Sequence, residues 1–203
     1  MTSCVNAPVP DEWTLGSGSP RILSDEEREY NATDDLKREC LRGEGGNMLA
    51  VKQGDLSLLQ HPASQELLHS KIPARLAYIA TDGTPRVVPI WFHWNGREIV
   101  MATPPKAPKL KALAKNPKVS LTIDDNTFPH KVLLIRGSSR LEPVEGIVPE
   151  YAQAAERYFD PELAKGWLGQ LRTIVSSMVR ITVTPEWVGL LDFQTRFPSA
   201  LAG

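Results

Sequence analysis

The sequence predicts an α+β fold, mainly β, in which antiparallel strands form a small barrel and helices pack outside it or across one end. Three observations carry this. The β-rich runs 74–81, 84–94 and 97–103 are joined by Asp82-Gly83 and Asn95-Gly96, dipeptides suited to tight hairpins because they tolerate positive φ. Further β-rich runs follow at 118–124, 131–144 and 178–193. Between them, KLKALAKNP, IVPEYAQAAERYF and PELAKGWLGQLRTIV read as helices, so the strands total six or seven.

Size and charge agree with one or two packed domains. The chain has 203 residues, 41% hydrophobic and 23% charged, an ordinary globular mixture able to bury roughly 70% of its unfolded surface. With 23 basic and 24 acidic side chains the net charge is −1, which argues against a protein built to coat nucleic acid or an anionic membrane. Any basic cluster is therefore local. No stretch reaches the ~18 apolar residues of a membrane span, and the first residues, with Asp11 and Glu12, lack a signal-peptide run. Cys4 and Cys40 form no CxxC pair and have no His spacing for zinc, so the expected compartment is the reducing cytoplasm.

Taken in order, residues 1–20 are rich in Pro, Gly and Ser and read as an irregular arm, dispensable for folding. Ser24 and Glu27 have capping-box spacing and open a short solvated helix through Arg42, which GEGG at 43–46 breaks. A second short helix is expected over 64–70, capped by Ser64, with Leu67 and Leu68 as its apolar contacts. The expected domain boundary separates an arm with short helices, 1–60, from a barrel domain, 61–203. Runs 74–81, 84–94 and 97–103 read as an antiparallel meander, in which Pro89 cannot donate to a ladder and marks an edge or bulge. After a Pro-stiffened loop, Leu110, Leu113 and Ala114 recur at helical spacing until Asn116-Pro117, a short crossover helix. Pro161 falls near the start of the last helix, where its missing N–H costs nothing.

Two features point to chemistry. Arg86, Lys106, Lys109 and Lys111, with Lys131 further on, form a basic set, and Lys106 and Lys109 lie where the crossover helix begins and free N–H groups favour an anion. The set is either a phosphate cradle or one solvated helix face continued by Lys115 and Lys118. Trp91, Phe92 and Trp94 crowd one strand, as a cover for a flat conjugated ring or as barrel or dimer core. His61, His69, His93 and His130 lack metal-ligand spacing, so no metal is expected. There is no GxSxG elbow, no GxGxxG loop with its flanking elements and no GxxxxGK[ST], which sets aside serine hydrolases and common nucleotide folds.

The segments RVVPIWF (86–92), MAT (101–103), PKAPKLKALAKNPKVSL (105–121) and HKVLLIRGSSRL (130–141) resemble the pyridoxamine 5′-phosphate oxidase-like superfamily, the flavin and deazaflavin oxidoreductases. The resemblance covers about 72–195. It implies an antiparallel split barrel of the FMN-binding-protein type, a homodimer with the cofactor at its interface, and redox chemistry on a small molecule carried by FMN. By position, it implies that Arg86 and Lys109 meet the flavin phosphate, that Lys106 and Thr103 assist, and that the backbone of Val87, Val88, Pro89, Ile90 and Trp91 lies along the ring. Lys131 falls where many oxidases place a Gln near the ring. The chain departs from the pattern at Pro108, often Arg in the true oxidase, and VGLLDFQTRFPSAL lacks the Arg-His-Arg substrate signature, so pyridoxamine phosphate is not the expected substrate. Two alternatives remain: the deazaflavin F420, whose acidic tail Ala107 and Pro108 do not serve, and a non-catalytic flavin or haem carrier with His93 or His130 as axial ligand. No side chain is assigned as acid or base.

Overall fold

The computed structural model describes residues 51–196. The readings made on residues 1–50, including the Ser24 capping box and both cysteines, lie outside the described residues. A 3-10 turn, Leu56–Gln60, leads into α1 (Pro62–His69), followed by β1 (Ala74–Ile79), β2 (Pro85–Ile90), β3 (His93–Trp94) and β4 (Ile99–Thr103). Then come α2 (Pro108–Lys115), β5 (Lys118–Asp124), β6 (Lys131–Glu145), α3 (Pro149–Tyr158), α4 (Pro161–Ile174) and β7 (Ser177–Asp192).

The seven strands form one sheet in the order β2-β1-β5-β6-β7-β4-β3, with every pairing antiparallel. Hydrogen bonding leaves β2 and β3 as the two edges, yet only Trp91 and Phe92 separate Ile90 from His93. Three peptide steps span at most ~11 Å, so the sheet curls until the end of β2 and the start of β3 come together. No ladder joins these two edges, so the sheet is not closed, as in a split barrel. Pro89 thus lies on an edge strand, as its missing N–H requires.

Alternation sets the core. On β5, Val119, Leu121 and Ile123 are buried between less buried Lys118, Ser120, Thr122 and Asp124, and they meet Leu76, Leu133, Ile135, Ile181 and Leu190 inside. β4 is buried at all five positions because it is covered on both faces: Ile99 and Met101 join that core, while Ala102 packs outside with Val148 and Met178. Helix α2 carries the chain from Thr103 to Lys118 and packs against β1 and β6. It buries Leu110, Ala112 and Leu113; Ala114, expected on this face, is exposed.

Three expectations are corrected here. The run 84–94 is not one strand, and the three runs are not one meander: the chain leaves β2 at Ile90, turns at Trp91 and fully buried Phe92, and joins the opposite edge as β3. Helix α1 begins at Pro62, and its cap is His61, whose Nδ1 accepts from the Ala63 N–H at 3.2 Å; Ser64 is buried inside the helix. Residues 51–60 also pack as part of the barrel. Beyond Val183, β7 has no β4 partner, and the preceding segment covers that edge: Gly54 donates to the Val188 carbonyl at 2.7 Å, and Gln53 exchanges two hydrogen bonds with the Leu190 backbone. Leu58 and Leu59 are buried in the core. Gly54 has φ of +102°, and a Cβ there would stand 2.7 Å from Trp187 Nε1, so both backbone and space require glycine.

Candidate functional site

Strand β2 connects two different environments. At its far end, Pro89 and Ile90 run into Trp91 and line a cleft of about 510 Å³ with Pro73 and Ala102. Tyr151 of α3, Phe159 at the α3 C-cap and Trp167 of α4 complete its lining. The Trp91 ring stacks on Tyr158 at 5.0 Å with an 11° interplanar angle and meets Phe159 edge-on at 4.8 Å. The corner is anchored from α3. Arg157 donates to the carbonyls of Phe92 (2.6 Å) and Leu68 (3.2 Å), and the Tyr158 hydroxyl donates to the Ile72 carbonyl (3.1 Å).

At the near end stands Arg86, paired across to Tyr78 on β1. The neighbouring row runs Val87–Ala77–Ser120–Arg136, beside the start of β5 to which α2 delivers the chain. Arg86 therefore lies at the end of the barrel where the C-terminal end of α2 meets β5. The Arg86 guanidinium is folded back on the hairpin turn, 3.0 Å from the Asp82 carboxylate and hydrogen-bonded to Thr84; both members of the ion pair are exposed, so little holds it there. Lys109 differs. It is half-buried in the first turn of α2, pairs with no carboxylate among the described residues, and burial holds its pKa below the ordinary lysine value. That turn has no side-chain cap and no acidic residue. Pro108 has no N–H and Leu110 gives its own to the Ala107 carbonyl at 3.0 Å, so what this turn offers a phosphate is the desolvated Lys109 ammonium with the Lys109 N–H.

Of the other positions singled out in the sequence, Thr103 is buried (4% exposed) at the end of β4, next to cleft-lining Ala102, and Lys106 is exposed in the loop before α2. Val87 is 62% exposed on the outer side of the edge strand, whereas Val88 and Ile90 pack against the core. In register, Lys131 lies toward the Ile90 end of β2 and not the Arg86 end: Ile90 pairs with Ala74, next to the Arg75–Thr122 pair, and Ile123 pairs with Leu133, two residues from Lys131, whose ammonium lies 2.6 Å from Glu66. His93 stands on β3 beside α3, where burial and then the Arg157 charge lower its pKa, while His130 sits between Phe128 and Phe193. No group of three or more metal-binding side chains occurs among the described residues. Nor is any described helix long and apolar enough to cross a membrane.

The aromatic wall from α3 and α4 is the part that sequence reasoning missed. A signal was present: Tyr151, Phe159 and Trp167 recur every eight residues along the two helices.

The chain thus forms an antiparallel split barrel with an aromatic cleft at one end of its edge strand β2. The sequence profile of the family described as Pyridoxamine 5′-phosphate oxidase matches residues 60–192, and the chain belongs to that family. A conserved hypothetical protein of Mycobacterium tuberculosis shares the fold at 21% identity and a TM-score of 0.52, over 71% of this chain and 92% of that one. An F420 reductase aligns at 25% identity and a TM-score of 0.48, over 62% of this chain and 94% of that one. The haem storage protein of Vibrio cholerae aligns at 19% and 0.48, over 65% and 93%. No curated protein matches the sequence. Fold by itself selects no activity.

Proposed function

We propose that the protein is an FMN-dependent oxidoreductase acting on a small molecule, with the flavin phosphate at Lys109 and Arg86 and the ring along β2 toward the aromatic cleft. The observation that carries this is the Lys109 ammonium, half-buried and without a carboxylate partner at the uncapped start of α2. A phosphate dianion supplies what that group lacks. Arg86 reaches the same anion by exchanging its exposed Asp82 contact for it, and Thr103 and Lys106 flank the loop between. β2 spans Arg86 to Ile90 in four steps, about 13 Å, a suitable reach for a ring and a phosphate joined by a ribityl chain. FMN, when bound, supplies the hydride or electron chemistry. The chain's own residues bind the phosphate and exclude water from the cleft.

The exposed outer side of edge strand β2 supports a homodimer with the cofactor between copies, and light scattering at micromolar concentration reads that state directly. The deazaflavin alternative gains nothing from Ala107 and Pro108, which add no charge to the α2 start. The test is calorimetric titration of FMN and riboflavin into wild type, Lys109→Ala and Arg86→Ala, with mass spectrometry of any co-purifying cofactor. Loss of one charge-assisted contact should weaken FMN by one to two decades, about 1.5–3 kcal/mol, and leave riboflavin nearly unchanged. Unchanged FMN affinity in both folded variants would refute the phosphate site.

A further inference from the structure

We infer that the aromatic cleft takes a flat, uncharged aromatic molecule bearing a carbonyl-type oxygen, and that the Tyr151 hydroxyl is the group that recognises this oxygen. The inference rests on reading the cleft as the chamber that faces the cofactor, and its test is arranged to fail separately from that reading.

Flatness follows from the walls. Four aromatic residues, Trp91, Tyr151, Phe159 and Trp167, line the cleft together with apolar Pro89 and Ile90. A lining so rich in rings favours a planar guest. Neutrality follows from the charges around it. No Asp, Glu, Lys or Arg lines the cleft. Arg180, close by on β7 opposite Ala102, is held by Glu142 and Glu150, each at 3.0 Å. Arg157 is committed to two backbone carbonyls, and burial and then the charge of Arg157 lower the pKa of His93, which disfavours its cation. An ion entering this space would lose hydration and meet no counter-charge.

The oxygen follows from hydrogen-bond inventory. Trp167 has a single donor, Nε1–H, and gives it to the Tyr151 Oη at 3.2 Å. That bond fixes the phenol from one side and leaves its own O–H proton, which reaches no acceptor among the described residues. Burial outweighs the Trp167 bond and raises the phenol's pKa, so the group remains a donor at neutral pH. A fixed donor in an apolar cleft selects a ligand by the acceptor it carries, because a guest without one leaves the O–H unpaired.

Three probes of one shape isolate each claim: 9-fluorenone (flat, neutral, one carbonyl), fluorene (no carbonyl) and 9-fluorenone-2-carboxylate (charged). Equilibrium dialysis is run on the protein as purified and again in saturating FMN, with wild type, Tyr151→Phe and Trp167→Phe, each checked for a cooperative melt. Wild type should favour fluorenone over fluorene by about five- to tenfold, the worth of one neutral hydrogen bond. The carboxylate should bind more weakly than either. In Tyr151→Phe the two neutral probes should fall within about twofold of each other, and Trp167→Phe should give an intermediate preference. Absence of binding, equal affinity for fluorenone and fluorene in wild type, or a preference that survives in Tyr151→Phe overturns the inference. So does a preference that vanishes once FMN is bound, since Tyr151 would then serve the cofactor ring. If FMN does not bind but the Tyr151-dependent preference persists, the flavin assignment falls and this one stands.

Discussion

Replacing Arg157 with methionine is expected to cost about 3 kcal/mol of folding stability, although the side chain makes no ion pair among those described. Its two Nη groups donate to the Phe92 and Leu68 carbonyls at 2.6 and 3.2 Å, and the guanidinium lies 4.6 Å from the Phe92 ring centre and 5.0 Å from that of Tyr158. Two hydrogen bonds from a charged donor contribute about 1.5 kcal/mol each, and the ring contacts about 1 kcal/mol together. Methionine removes one defect, the buried Nε that has no acceptor, which offsets about 1 kcal/mol. The net of about 3 kcal/mol corresponds to a melting temperature lower by ~6–12 °C for a chain of this size. Arg157→Lys, whose ammonium is a compact donor without the guanidinium's fork, should lose about half as much. Urea unfolding followed by tryptophan fluorescence measures the loss, and near-UV circular dichroism follows the Trp91–Tyr158 stack. A methionine variant within ~1 kcal/mol of wild type at unchanged m-value would show that the corner is held by ring packing alone and that its carbonyls do not depend on Arg157.

Three further outcomes are expected. His61 caps α1 as a neutral acceptor, and burial and then Arg196 depress its pKa in the folded state, so its contribution is complete above the unfolded value near 6.5 and is lost as pH falls below it. His61→Asn keeps a capping acceptor without a titration in this range, and urea midpoints between pH 5 and 8 should show a shallower slope, with the share due to His93 remaining. Gly137→Ala places a Cβ 2.1 Å from the Thr184 carbonyl oxygen at the β6–β7 register shift and should destabilise by about 3 kcal/mol, read as a thermal midpoint; a neutral effect would show that the bulge relaxes freely. Leu58→Ala should cost about 2–5 kcal/mol if residues 51–60 are barrel core, and a cost below ~1 kcal/mol in urea unfolding would return that segment to the arm.

Much of the barrel could be read from local signals. Asp82-Gly83 and Asn95-Gly96 mark real hairpins, β5 occupies the expected 118–124, and Pro89 lies on an edge because no other position spares its missing N–H. The corner at Trp91-Phe92 was hidden, since β-rich composition records that a stretch is extended but not that it changes from one sheet edge to the other. What bends it there, the grip of Arg157 on the Phe92 carbonyl, comes from 65 residues further along the chain. The α1 cap was misplaced because Ser64 suits the usual preference, whereas Pro62 at the first helical position was the better marker of where the helix starts. For the candidate site, Lys109 was marked by its place at a helix start, while nothing local in the sequence showed that the Lys131 ammonium pairs with Glu66, 65 residues away. The aromatic lining escaped because helical aromatics ordinarily read as core, and only the packing of α3 against β3 and of α4 against α3 brings them to a shared space.

The way α3 and α4 are spliced into the chain bears on how such proteins diverge. Glu145 and Ser177, where the helical pair leaves and rejoins the sheet, are directly paired neighbours on β6 and β7, with Gly146 donating to the Ser176 carbonyl just outside them. The two helices are therefore a cassette inserted into the tip of a long hairpin, which a short turn could close as well. Tyr151, Phe159 and Trp167 all lie on this cassette, whereas Arg86 and Lys109 belong to the barrel. Natural variation can rewrite the lining of the cleft by exchanging one contiguous stretch of sequence, and the barrel's strand register and its Arg86 and Lys109 positions pass through the exchange untouched.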